Sequence, residues 1–249
     1  MPEWLYVRPE VVLFAVAAGL YLHDAATRLF ANEIVFRRSG RGAWAAKTAT
    51  GYPELGRRYL ALVRPWRPDT TILRATWPRL ADSKTSAGPL LRDAIADVED
   101  RLRFLRYQCT PLLMTLFVGL PCAQLFYGPT ALLFGIAVVY LQAFVMVGWL
   151  IARRSGLGLP WRSIGFILFE SLICVPYAIN LYRKIVDRLV PVDADPIDLA
   201  AALLDAQGAA ALRREIVKSI DERVAMARAD SPKEERLLKY RERLMEHGA

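Results

Sequence analysis

Histidine is almost missing from this chain of 249 residues: only His23 and His247 occur. Histidine-rich metal sites and HExxH chemistry are thereby excluded. Cysteine is nearly as scarce. Cys109, Cys122 and Cys174 lie in or beside apolar segments and form no CxxC pair, so they read as small packing residues. GxxxxGK[ST], GxGxxG and GxSxG are also absent. No catalytic residue, metal or cofactor is expected from these patterns.

The most informative absence is of charge. Residues 109–152 are 44 positions without Asp, Glu, Lys, Arg or His, in a chain that is 23% charged. Two membrane crossings of about 20 apolar residues each need nearly that length. The run is interrupted by "YGPT", which predicts a hairpin of two spans, 109–127 and 130–151. A further apolar run, 11–30, predicts the first span. The preceding "MPEWLYVRPE" lacks the basic region of a cleavable signal, and no A-x-A site follows, so this span is expected to stay. Trp4, Tyr6, Tyr127 and Trp149 fall near span ends, where amphipathic rings favour the headgroup layer.

The formal net charge is +8, and nearly all of it sits in one place. Residues 31–108 carry 15 Lys/Arg against 8 Asp/Glu, whereas 181–249 carry 13 of each. A basic loop beside spans marks the cytoplasmic side and puts the N-terminus outside. Arg outnumbers Lys 27 to 6, which suggests a GC-rich bacterial genome and hence an inner membrane.

A fourth apolar segment, 161–180, has two readings. It is long enough to cross, but Glu170 sits at its middle, Pro176 interrupts it, and arginines flank both ends. Either it is a span, or it bends at Pro176 and returns, which irregular backbone does only under protein cover. The second reading is preferred and keeps the tail cytoplasmic.

The water-soluble parts carry weaker signals. Within 31–108, residues 58–63 and 70–77 suggest two short strands around a Pro-Trp-Arg-Pro turn. Leu91, Ile95, Val98, Leu102 and Leu105 then predict an amphipathic helix over 89–107 that leads into the second span. In the tail, "DPID" and "SPKE" are helix-start signals with a cap residue, proline and an acid. They predict a pair of helices, 196–228 and 232–246, whose apolar stripes need the 89–107 helix or another protein to cover them.

The fold expected is therefore an all-α integral membrane protein. It divides into 1–30 (N-terminus and first span), 31–108 (basic loop), 109–152 (hairpin), 153–190 (fourth apolar segment) and 191–249 (C-terminal helical pair).

Two groups of residues invite function. Asp24 and Arg28, like His23 and Thr27, are four apart at the end of the first span, which allows a self-neutralising helix-end pair or a site facing other spans. Glu170 is the sharper signal, because a carboxylate at depth must be protonated, paired or solvated. Gln142 could bond its neutral form, and His23 or Arg28 could hold its ionised form. The second group is Arg57, Arg58, Arg64, Trp66 and Arg67, which suits single-stranded nucleic acid or anionic headgroups. Lipid is the nearer partner for a loop held beside a membrane, and no nucleic acid is expected. Small-residue pairs such as Ala131 and Gly135 permit close helix approach.

Three functions fit. The first is a non-catalytic membrane subunit or scaffold, binding partner proteins or its own copies through loop and tail. The second is an oligomeric channel or transporter with Glu170 and Gln142 in its path. The third is a lipid-modifying enzyme.

Overall fold

The computed structural model describes residues 9–38, 42–56, 58–77, 88–190, 195–226 and 232–246. The chain divides into two compact units. One is helical and contains 1–27, 62–70 and 98–189; the other contains 28–61, 71–97 and 190–249.

The helical unit is built on a hairpin. The helix expected over 89–107 is met by α2 (Gly88–Arg101) and the start of α3 (Arg103–Met114), with Leu102 between them, and α3 passes through a π turn (Thr115–Gly119) into α4 (Leu120–Arg153). Pro111 lies inside α3, and the Thr115 hydroxyl donates to its carbonyl at 2.9 Å. This is the threonine back-bond to the carbonyl four residues earlier that tends to bend a helix, and it falls directly at the π turn. The helical run as a whole is the one segment, among the described residues, long and apolar enough to cross a membrane. It does not continue straight. Gly128 breaks α4 at φ 77°, ψ −167°, and three cross-pairs show the arms turning back on each other. Phe104 stacks on Trp149 at 5.3 Å, Gln142 reaches Thr115 at 3.5 Å, and a Cβ on Gly135 would lie 2.5 Å from Leu120 Cδ2. Each pair is centred within two positions of Gly128. The arms, 103–127 and 129–153, are each about 37 Å long at about 1.5 Å per residue.

Only glycine tolerates the backbone at position 128 without strain. Gly128→Ala is expected to destabilise the hairpin by about 1–3 kcal/mol, read as a lowered thermal midpoint in detergent.

The hairpin leaves large apolar side chains uncovered. Leu125, Phe126, Leu133, Phe134, Leu141 and Phe144 are all more than half exposed. Helix α5 (Trp161–Ile173) has the same two-sided character, with Ile164, Ile167, Leu168 and Ser171 buried while Phe166, Phe169 and Ile173 face outward. So many large exposed apolar side chains on one hairpin and its neighbouring helix mark an interaction surface.

The first helix ends earlier than expected. Helix α1 (Pro9–Ala25) stops at Ala25, and Ala26–Leu29 is strand β1. Arg28 therefore does not continue the helix of Asp24, and the expected pair one turn apart does not form. Thr27 likewise lies off the helix that carries His23. The fourth apolar segment is broken as well. Helix α5 ends at Cys174 (φ −124°, ψ 87°), and α6 (Val175–Ala178) begins there with Pro176 in its first turn. Amphipathic α7 (Leu181–Leu189) follows. At about 20 Å, α5 alone falls short of a hydrocarbon core about 30 Å thick.

The second unit contains the β structure that an all-α reading omits. Strands β2 (Glu33–Arg38), β3 (Trp44–Thr48) and β6 (Ile72–Thr76) form an antiparallel sheet in the order β3-β2-β6. Ile34 pairs with Thr48 and Ala75, and Phe36 with Ala46 and Leu73. Strands β4 (Glu54–Leu55) and β5 (Arg58–Leu62) join β1 in a second sheet, ordered β1-β5-β4. The two strands expected at 58–63 and 70–77 thus exist, but they belong to different sheets and are not partners.

The tail covers the first sheet. The expected helix 196–228 is two helices, α8 (Pro196–Leu203) and α9 (Ala206–Met226), and Asp205 accepts a bond from Gly208 N at the start of the second. Helix α9 packs on β3, and α10 (Pro232–Glu246) packs on α9. Leu212, Ile216 and Ile220 are buried, as are Leu237, Tyr240 and Leu244, whereas Leu238 and Met245 point out. Of the two start signals, Asp195 caps α8 by accepting from Ile197 N at 2.9 Å. Ser231 lies outside the described residues.

Trp77, directly after β6, ties loop to tail. It is fully buried, its ring stacks on Tyr240 of α10 at 6.5 Å, and the Arg223 guanidinium of α9 lies over it at 4.9 Å. The Tyr240 hydroxyl in turn donates to Asp195 at 3.0 Å. The tail's apolar stripes are therefore met by the sheet of the 31–108 loop, a partner the sequence reading did not name.

Burial pushes the Asp195 carboxyl above its ordinary value of 3.8, against the opposing pull of its bonds from Ile197 N and the Tyr240 hydroxyl. The sign follows directly. The unfolded chain releases this proton first, so stability contributed by Asp195 is fullest below pH 3.8 and falls as pH rises through the elevated value. Asp195→Asn is expected to flatten this part of the stability–pH curve while keeping the cap; denaturant titrations at stepped pH measure it.

Candidate functional site

Two carboxylates of the helical unit, Asp24 and Glu170, converge on Lys184, in the first turn of α7. Its ammonium lies 2.7 Å from Asp24 Oδ1 and 3.6 Å from Glu170 Oε2. It also sits 4.9 Å from the centroid of the Tyr177 ring. Asn180, one turn before Lys184, donates to Asp24 Oδ2 at 3.0 Å. Both oxygens of Asp24 thus have partners. The side chains are 13% (Asp24), 20% (Lys184) and 30% (Glu170) exposed, too enclosed for water alone to carry the charges.

The local sequence explains the convergence. Pro176 starts α6 after the break at Cys174, and the chain then enters α7 with Leu181, Tyr182, Ile185 and Val186 buried. That amphipathic phase turns Asn180 and Lys184, four residues apart, toward Asp24 near the end of α1 and Glu170 near the end of α5. A second clasp lies beside it. Arg183 Nη2 donates to the carbonyls of Arg64 at 3.0 Å and Arg67 at 2.6 Å, and the Tyr21 hydroxyl donates to the Pro65 carbonyl. Arg64 itself takes a left-handed φ of 43°, a conformation rare for a side chain of that size. The turn 62–70 is held by α1 and α7 together.

The expected site residues therefore part company. Asp24 and Glu170 do meet, through Lys184. Gln142 does not join them, because its amide reaches Thr115 across the hairpin. His23 is exposed on α1, and Arg28 is exposed in β1. Of the basic group, Arg57 lies outside the described residues. Arg58 stacks over Phe30 at 4.7 Å, and Arg67 holds Asp69 through two bonds of 3.1 and 3.2 Å. Trp66 is three-quarters exposed. Arg58 and Arg64 fall in different units, so the five do not form a single patch within either one. Sequence reading missed Lys184 and Asn180. Their spacing after a proline break was the available signal, but Lys184 reads on its own as one of several basic flanking residues.

Among the described residues no group of His, Cys, Asp and Glu is arranged to hold a metal. The chain matches no family model, no curated protein and no solved structure.

Proposed function

We propose that this chain is a membrane-embedded scaffold subunit. In this reading the helical unit is the anchor, and the second unit is a platform in the cytoplasm that docks partner proteins. The observation that carries the topology of this reading is the joint fold of loop and tail around Trp77. Segments far apart in sequence share one core, so both must lie on the same side of any bilayer. An even number of crossings then separates them, which the hairpin alone supplies, and the broken α5–α6 segment dips and returns. The +7 excess of residues 31–108 favours the cytoplasmic face of a bacterial inner membrane, with the N-terminus outside. The uncovered apolar faces of α1, α4 and α5 suit lipid.

A second reading draws on one specific feature. Two carboxylates and one ammonium at a helix break resemble the polar groups of an ion or proton path, which supports an oligomeric channel or transporter. Vesicles reconstituted with the purified chain separate the two. The scaffold predicts proton and potassium flux no greater than in empty vesicles, unchanged by Glu170→Gln, and cross-links in cells from exposed positions of α9 and α10. Flux abolished by Glu170→Gln would overturn it.

A further inference from the structure

At the open end of the hairpin lies a cleft of about 470 Å³. It is lined by Arg101 and Arg153, the stacked rings of Phe104 and Trp149, and by Asp100 and Leu157. We propose that this cleft binds the headgroup of an anionic phospholipid, with the phosphodiester between Arg101 and Arg153. The inference rests on the membrane reading above.

Several observations converge on that ligand. Two guanidinium-bearing side chains, Arg101 and Arg153, border the cleft, and the oxygens of a phosphodiester can accept from both. Asp100 disfavours a second negative charge and can accept a bond from a hydroxylated headgroup such as glycerol. The neighbouring Arg154 is directed elsewhere: its guanidinium lies over Trp161 at 4.5 Å and donates to the Leu159 carbonyl at 3.4 Å. Arg153 is thus the member of the pair that serves the cleft. Below Trp149, the same face of α4 continues through Val145 and Leu141, both exposed. These lie one and two turns further along the arm, about 6 and 12 Å from Trp149. Acyl chains of a lipid whose headgroup fills the cleft would run along them. Basic pockets between helices at the cytoplasmic boundary suit such headgroups, and aromatic rings at that depth frame them.

The test uses the purified full chain. Its membrane attachment is checked first by alkaline extraction and vesicle flotation. Native mass spectrometry then compares retention of phosphatidylglycerol and phosphatidylcholine, with inorganic phosphate as a separate probe. The wild-type chain is expected to retain phosphatidylglycerol about tenfold more tightly. Arg153→Gln should reduce that preference to about twofold, and Arg153→Lys should keep most of it. Inorganic phosphate alone should neither bind nor raise the melting temperature.

No lipid preference in the wild type, or a preference untouched by Arg153→Gln, overturns the proposal while leaving the membrane reading intact. Equal protection by inorganic phosphate identifies free phosphate as the occupant and also overturns it. A chain released by alkaline extraction that does not float removes the membrane reading, and the proposal with it. If Arg153→Gln fails to fold, the wild-type lipid comparison and the phosphate titration still decide.

Discussion

Trp77→Ala is expected to destabilise the sheet–helix unit by about 3–5 kcal/mol, the range for deleting a large buried aromatic. The side chain is completely buried and has a ring on one neighbour and a cation on another: Tyr240 of α10 and Arg223 of α9. Truncation opens a cavity where three elements meet and removes a cation–π contact worth roughly 1 kcal/mol. Since domains are stable by only about 5–15 kcal/mol, the loss should free α9 and α10 for proteolysis while the hairpin stays intact. Trp77→Phe, which keeps part of the stack, should cost less than half as much. Limited proteolysis combined with chemical denaturation reads both. A tail equally protected in Trp77→Ala would mean that the loop sheet does not hold it.

Lys184→Met is expected to be the most damaging substitution in the helical unit, at about 3 kcal/mol. The lysine is the shared counter-ion of Asp24 and Glu170, and its removal leaves two enclosed carboxylates without compensation. Methionine fills similar volume, so the loss reports charge rather than packing. Adding Asp24→Asn to Lys184→Met should recover a substantial part, because the amide can still accept from Asn180 and one uncompensated charge is gone. Thermal unfolding of the four chains in detergent completes the cycle. Additive effects would show that the ion pair is not coupled.

The hairpin was legible because its signal is extreme. An uncharged run punctuated by Tyr-Gly-Pro leaves one economical solution, and the cross-pairs of Phe104 with Trp149 and Thr115 with Gln142 realise it. The capped start at Asp195 was legible for a different reason, since capping is chemistry local to a few residues. The sheets were not legible. Strand β2 (EIVFRR) has Ile34, Val35 and Phe36 all buried, so it lacks the alternation that marks a half-exposed strand. Its partners β3 and β6 are alanine-containing and short. The end of α1 was hidden as well, because apolarity runs on to Phe30 while the backbone changes to strand at Ala26. Glu170 could be seen to need a partner. Which cation answered depended on where a proline-broken segment turned Lys184, and that is a tertiary fact.

Loop and tail share one folded unit, which under the proposed membrane reading puts them on one side of the bilayer. Single cysteines at Glu54 and Glu242, in a chain with its three natural cysteines replaced, test it most directly through labelling by a membrane-impermeant maleimide. Both sites should resist the reagent in intact cells and react together once the membrane is permeabilised. Labelling of one site in intact cells while the other stays protected would place loop and tail on opposite sides and contradict the account.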